Sequence, residues 1–287
     1  MDKEDSCRRG VHDEADGLPL GRFVHEKREQ EEEIMLLAGK KALVTGGKRN
    51  IGRGIALALA EAGCDVGIND LERDGEVEET LQLIRDMGRE ASCFEADISR
   101  AVQVDSMTSA FVEAFGGIDI LVNNPYSGGN QPFLEITEEN WDHTLGVCLK
   151  GYFLCSQQAA RAMVAAGKGG SIVSVSSVHA GAVWQADTCY GVAKAGILRL
   201  TRSMAVELGR HRIRCNAILP GYMDVEHEYG TPPPEPQPDD DQPTQRFTPT
   251  YRPSTPEEIG RTVVFLCSPG ANISGVALPV DGGLLAS

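Results

Sequence analysis

The chain has 287 residues, of which 41% are hydrophobic, 24% charged and 6% aromatic, a composition that excludes a disordered or fibrous protein and fits a folded globular one. Its net charge is −15, and residues 1–38 (11 acidic, 6 basic) and 224–258 (9 acidic, 2 basic) hold most of the excess, so both read as solvated surface. A surface this acidic repels phosphate backbones and anionic lipid, which argues against nucleic acid or membrane as partner and for a small molecule.

Residues 1–38 are polar and without sustained period, and are expected to form an acidic, disordered extension. No stretch approaches the ~20 apolar residues of a membrane span. The first residues lack a secretory pattern, so a cytoplasmic location is expected. From residue 39 to 287, short β-rich runs alternate with segments of helical period. KALVT precedes a helix over 51–62, DVGIN one over 75–87, ASCFEA one over 101–115, and IDILVN one over 138–166. GSIVSVSS then precedes a helix over 188–209, IRCNAIL a loop and a helix over 256–267, and GVALPV closes the series. Such alternation predicts an α/β fold: one Rossmann-type, doubly wound parallel sheet of about seven strands, with helices on both faces. The interruption is residues 225–255, with PPPEPQP followed by Asp239 to Asp241, which is extended and acidic and reads as a substrate lid or a surface insertion.

The first strand runs directly into Thr45-Gly46-Gly47-Lys48-Arg49-Asn50-Ile51-Gly52 and then a helix. Small residues there let the backbone approach a pyrophosphate, and the helix amino terminus favours its charge, so Gly46, Arg49, Asn50, Ile51 and Gly52 are expected to bind a dinucleotide. Asp70 stands 24 residues beyond Gly46, where a carboxylate accepts hydrogen bonds from an adenosine ribose. It repels the extra phosphate of NADP and favours NAD, while Lys48 and Arg49 pull the other way. Tyr190 and Lys194, at i and i+4, share one helix face, and Ser177 lies 13 residues upstream at the end of the fifth strand. An ammonium beside a phenol is expected to lower its pKa and make it a proton acceptor. The eight cysteines show no metal or redox spacing and read mostly as buried hydrophobes, and no metal site is expected.

With these motifs in this order, residues 39–287 resemble the short-chain dehydrogenase/reductase family. TGGKRNIG matches its glycine motif, Asp97-Ile98 its adenine-contacting pair, Asn123-Asn124 the start of its N-N-A-G, and Ser177, Tyr190 and Lys194 its catalytic set. Pro220-Gly221 and the ending VDGG also fit. The resemblance implies an NAD(P)-dependent oxidoreductase that moves a hydride between nicotinamide and a small ketone or secondary alcohol. Tyr190 is then the general acid/base, Ser177 binds the substrate oxygen, and Lys194 holds the nicotinamide ribose. Gly46, Asp70, Asp97, Ile98, Asn124, Pro220 and Gly221 line the cofactor. A homotetramer is also implied, built from the helices carrying Cys148 and Tyr190.

Four departures stand out. Cys148 occupies the place of the family's asparagine, Pro125-Tyr126 that of Ala-Gly, Asn50 that of a glycine, and Val225 that of a threonine. A thiol cannot copy an amide's paired donor and acceptor. Tyr126 is expected beside the cofactor ribose or turned into the substrate pocket, and Asn50 in left-handed backbone. These changes leave an alternative open, a dinucleotide-binding sensor or scaffold impaired in turnover; dehydration or epimerisation on the same scaffold is a third reading. His179, Trp184, Tyr222 and Met223 are candidates for the substrate wall. The acidic surface argues for free small substrates over those carried on an acidic carrier protein.

Overall fold

The computed structural model describes residues 36–236 and 248–286. The expected extension over residues 1–35, and residues 237–247 of the acidic, proline-rich segment, lie outside the described residues. Of the stretch assigned to the extension, Leu37 is buried, and its amide donates to Ala62 O at 2.8 Å.

The sheet has seven parallel strands: β1 (Lys41–Thr45), β2 (Asp65–Asp70), β3 (Ala91–Glu95), β4 (Ile120–Asn123), β5 (Gly170–Val175), β6 (Ile213–Pro220) and β7 (Ala277–Val280). Their order is β3-β2-β1-β4-β5-β6-β7. The central strands are buried on both faces, which is why they read as continuous apolar runs. Side chains alternate across the sheet: Ala42, Val44, Ile120 and Val122 enter one core, Leu43 and Leu121 the other.

The helices are α1 (Asn50–Glu61), α2 (Gly75–Asp86), α3 (Ala101–Phe115), α4 (Glu138–Leu145), α5 (Tyr152–Ala166), α6 (Thr188–Leu208) and α7 (Pro256–Cys267). α1, α2 and α7 cover one face, and α3, α5 and α6 the other. α1 and α7 cross closely because small residues face each other: a Cβ on Gly260 would lie 2.5 Å from Gly54 O. Local signals set the helix starts. Asp74 accepts from Val77 N at the head of α2. Thr255 and Glu258 form a reciprocal capping box before α7, with Pro256 in its first turn.

The sequence predicts one helix over 138–166, and the structure breaks it. A π-helical segment, Gly146–Gly151, separates α4 from α5. Helical periodicity does not register one inserted residue, because apolar spacing resumes on the far side. Cys148 sits inside this segment, and Gly151 lets it lie flat on Ile98, whose Cδ1 would be 2.7 Å from a Cβ there.

Candidate active site

β1 and β4 are neighbours whose chain connections leave in opposite directions, which opens a crevice at their carboxyl ends. A cleft of about 730 Å³ lies there, and every residue singled out above as catalytic or cofactor-binding lines it. At its floor, Gly46 has φ +63° and Asn50 φ +50°, so asparagine does adopt the left-handed backbone expected of it. Asn124 Nδ2 donates to Gly46 O at 2.9 Å, and the Thr45 hydroxyl accepts from Asn124 N at 3.3 Å and donates to Val122 O at 3.2 Å. These bonds tie the turn to the end of β4.

Gly52 leaves room that no other residue could, since a Cβ there would lie 1.9 Å from Gly46 O. The amino end of α1 has no side-chain cap. A Cβ-free cradle with uncapped N–H groups fits the pyrophosphate of a dinucleotide.

At the adenosine end, Asp70 terminates β2 and Oδ1 accepts from Leu71 N at 2.9 Å. Burial pushes its pKa above the ordinary value, and the Leu71 amide and Lys48 oppose that. Lys48 is not free to meet a phosphate. Its ammonium bonds Asp74 at 2.7 Å and lies 3.9 Å from both Asp70 and Glu76, and Arg49 is 3.7 Å from Glu76. Of the basic pair set against Asp70 in the sequence reading, Lys48 is thus occupied by carboxylates, while Arg49 stays mostly exposed beside Glu76. Asp97 Oδ1 accepts from Ser99 N at 2.9 Å and Ser99 Oγ at 2.7 Å, which shapes the turn after β3, and Ile98 beside it is buried. Pro220 ends β6, and Gly221 N donates to Val280 O at 3.1 Å, where the VDGG ending meets the cleft.

Ser177, just past β5, is buried, and its Oγ accepts from His179 N at 3.2 Å. Tyr190 and Lys194 project from the first turns of α6, with the Lys194 ammonium 5.4 Å from the Tyr190 ring centroid. Ser176, which the sequence reading passed over, donates to Lys194 O at 2.8 Å and fixes that helix to β5. Among the described residues no carboxylate pairs with Lys194, and burial lowers its pKa from 10.5 to about 8. The expected acidification of Tyr190 is not what this geometry yields. Burial pushes its pKa up to about 12, and a hydrogen bond with Ser177 only partly opposes that. Desolvation outweighs an ammonium that lies beside the ring and is itself weakened by burial.

Tyr126 stands edge-on against Tyr190, ring centroids 4.9 Å apart, and donates to Gly128 O at 3.1 Å. It forms a wall of the cleft. His179 also meets Tyr190 edge-on at 5.3 Å, stacks on Trp184 at 4.0 Å, and its Nδ1 lies 2.7 Å from Oδ2 of buried Asp187. Met223 and Val225 line the cleft. Tyr222 instead accepts from Ser254 N through its carbonyl, a bond that clamps the base of the 225–255 segment. Ser127 and His143, another pair the sequence did not single out, also line the cleft, with Oγ and Nε2 2.6 Å apart. Cys148 is buried and its thiol donates to Ser127 O at 3.6 Å. Among the described residues seven cysteines are free thiols, six of them buried. Among the described residues no cluster of His, Cys, Asp or Glu could hold a metal ion, and no helix is long and apolar enough to cross a membrane.

A family model described as Enoyl-(Acyl carrier protein) reductase matches residues 46–285. The chain is 36% identical over 258 residues to L-rhamnose 1-dehydrogenase (NAD(P)(+)) of Sphingomonas sp. strain SKA58, covering 88% of this chain and 98% of that one. It is 35% identical over 254 residues to 2-dehydro-3-deoxy-D-gluconate 5-dehydrogenase of Escherichia coli K12, covering 87% and 97%. Among solved structures it is similar to a short-chain type dehydrogenase/reductase from Mycobacterium marinum, with a TM-score of 0.79, 31% identity, and coverage of 88% and 98%.

Proposed function

The chain belongs to the short-chain dehydrogenase/reductase family, and we propose that it interconverts a small ketone and a secondary alcohol in this cleft, with Ser177, Tyr190 and Lys194 as its catalytic set. The observation that carries the reading is that one cleft at the sheet's switch point gathers the glycine turn, Asp70 and these three side chains. The bound nicotinamide supplies or accepts the hydride. The protein supplies the rest. Ser177 hydrogen-bonds the substrate oxygen, Tyr190 exchanges the proton at that oxygen, and Lys194 holds the nicotinamide ribose. With its pKa raised to about 12, Tyr190 is a neutral phenol at neutral pH, suited to donate a proton to a developing alkoxide.

NAD is the preferred cofactor, because Lys48 is already engaged by Asp74 and the cluster of Lys48, Arg49, Asp70, Asp74 and Glu76 keeps a net negative charge. The substrate carries a further oxygen near the reacting carbon. Support comes from the sugar-derived compounds named for two similar proteins, and from the Ser127 and His143 groups on the cleft wall. An acidic carrier protein fits this surface poorly, so free small molecules are favoured. Intact Ser177, Tyr190 and Lys194 in the cleft favour turnover over the sensor reading that Cys148, Pro125 and Val225 left open.

The assembly is a homotetramer on this reading. Phe153, Ala160 and Val164 of α5 face Leu200 and Met204 of α6 across an apolar surface groove that suits a second copy. The test of the activity is a screen of simple ketones, hydroxyketones and polyols with NADH or NAD, followed by nicotinamide absorbance. Turnover of the oxygen-bearing compounds above simple ketones supports the substrate class, and absence of turnover with all of them contradicts the catalytic reading.

A further inference from the structure

Lys194 is only 2% exposed, and its ammonium has three donors to satisfy without an anion. One goes to Val175 O at 2.7 Å, and a second reaches the Tyr152 hydroxyl at 3.5 Å. Lys194 lines the cleft, which leaves the third donor for a group bound there. Tyr152 is wholly buried at the start of α5, immediately after the π-helical segment and four residues beyond Cys148. Its hydroxyl has one proton and two backbone carbonyls in reach, Pro125 O at 3.1 Å and Val175 O at 3.3 Å. With that proton committed to a carbonyl, the oxygen lone pairs remain to accept from Lys194. The ring adds a face to the same cation, 5.4 Å from centroid to ammonium. Cys148 does not do this work, since its sulfur is a weak acceptor and its thiol proton is directed to Ser127 O.

We propose that Tyr152 is a positioning residue for the reaction: its phenol oxygen holds the Lys194 ammonium in place beside Tyr190 and ties it to the Pro125 loop and the end of β5, in a chain where Cys148 replaces the family's asparagine. The proposal rests on the assignment of Lys194 to the catalytic set. It explains why a bulky phenol is tolerated at the core of the α5 packing with its oxygen among polar atoms. It also gives the π-helical segment a role, because the break sets where Tyr152 emerges relative to Cys148.

The test is Tyr152→Phe, which keeps the ring and removes only the oxygen. With the lysine Cε carbons labelled, NMR titration of the cofactor-free protein follows Lys194 directly. Losing an acceptor disfavours the ammonium, so its midpoint is expected to move down by about one pH unit, the equivalent of a tenfold change. In turnover assays, kcat is expected to fall about tenfold, the alkaline limb of the pH profile to move down with it, and KM for the ketone to stay within about twofold. An unchanged titration midpoint and an unchanged pH profile overturn the proposal, even if the variant is less stable, because a packing role moves neither. If Tyr152→Phe does not fold, 3-fluorotyrosine at position 152, nearly isosteric and a weaker acceptor, is expected to move the midpoint in the same direction by less; no movement there overturns the proposal too. A midpoint that moves in a protein without turnover on any substrate supports the contact while refuting the catalytic reading, so the two failures are distinguishable.

Discussion

Replacing Asp70 with asparagine is expected to turn the cofactor preference toward NADP. Asp70 is partly buried at the end of β2, held by Leu71 N at 2.9 Å, with Lys48 3.9 Å away. A carboxylate and a phosphate charge about 5 Å apart at an effective dielectric of about 20 repel by ~3 kcal/mol, and salt screening at an open site reduces this to ~1–2 kcal/mol. Removing that repulsion tightens NADPH binding about tenfold. The same change loses a charge-assisted hydrogen bond to the ribose hydroxyls, which weakens NADH about tenfold. Lys48 stays anchored to Asp74 at 2.7 Å, so it does not become a strong phosphate ligand, and the swing stays near one hundredfold rather than more. Titrations of wild type and Asp70→Asn with NADH and NADPH, followed by nicotinamide fluorescence, give the four dissociation constants. Wild-type protein that binds NADPH as tightly as NADH, or a ratio that moves less than about threefold in the variant, refutes the electrostatic reasoning.

Lys194→Met is expected to abolish turnover yet raise Tm, because it removes a buried ammonium whose pKa has dropped from 10.5 to about 8, a cost of order 2–3 kcal/mol at neutral pH. The sign in pH follows: between pH 8 and 10.5 the unfolded chain keeps this proton while the folded one releases it, so the wild-type stability contribution of this group rises with pH across that window. Calorimetry at several pH values checks both, and a lower Tm for the variant contradicts the burial argument. Turnover that needs the ammonium is expected to fall as pH rises through about 8, read from a pH–rate profile. Gly52→Ala places a Cβ 1.9 Å from Gly46 O and is expected to eliminate measurable NADH binding, read as loss of the fluorescence change on titration, and to lower stability by roughly 1–3 kcal/mol in denaturant titration. Phe153→Asp, in the apolar groove of α5 and α6, is expected to give a smaller particle in light scattering, with wild type eluting as a tetramer.

The sheet was legible because parallel strands buried on both faces write themselves as apolar runs, and three helix starts carry a capping side chain, Asp74, Thr137 and Thr255. The floor of the cleft was legible for a similar reason: Gly46, Asn50 and Gly52 answer backbone demands that few residues meet. Three features were not. The π-helical segment over Gly146–Gly151 inserts a residue without disturbing apolar spacing. The charge state of Tyr190 depends on how deeply it is buried relative to how close Lys194 comes, and spacing along a helix fixes neither. The engagement of Lys48 by Asp74 and Glu76 joins residues 26 and 28 positions apart, so a cation that reads as a phosphate ligand is neutralised by a neighbouring turn. Tyr152 had one sequence signal, its place four residues after Cys148, but its value lies in carbonyls from two other segments.

The catalytic claim is tested most directly by Tyr190→Phe, with NADH affinity and ketone turnover measured on the same preparation. Turnover is expected to fall by about a thousandfold or more, on the order expected for loss of the proton donor, while the NADH dissociation constant stays within about threefold. Turnover that survives the substitution contradicts the assignment of Tyr190 as the acid/base.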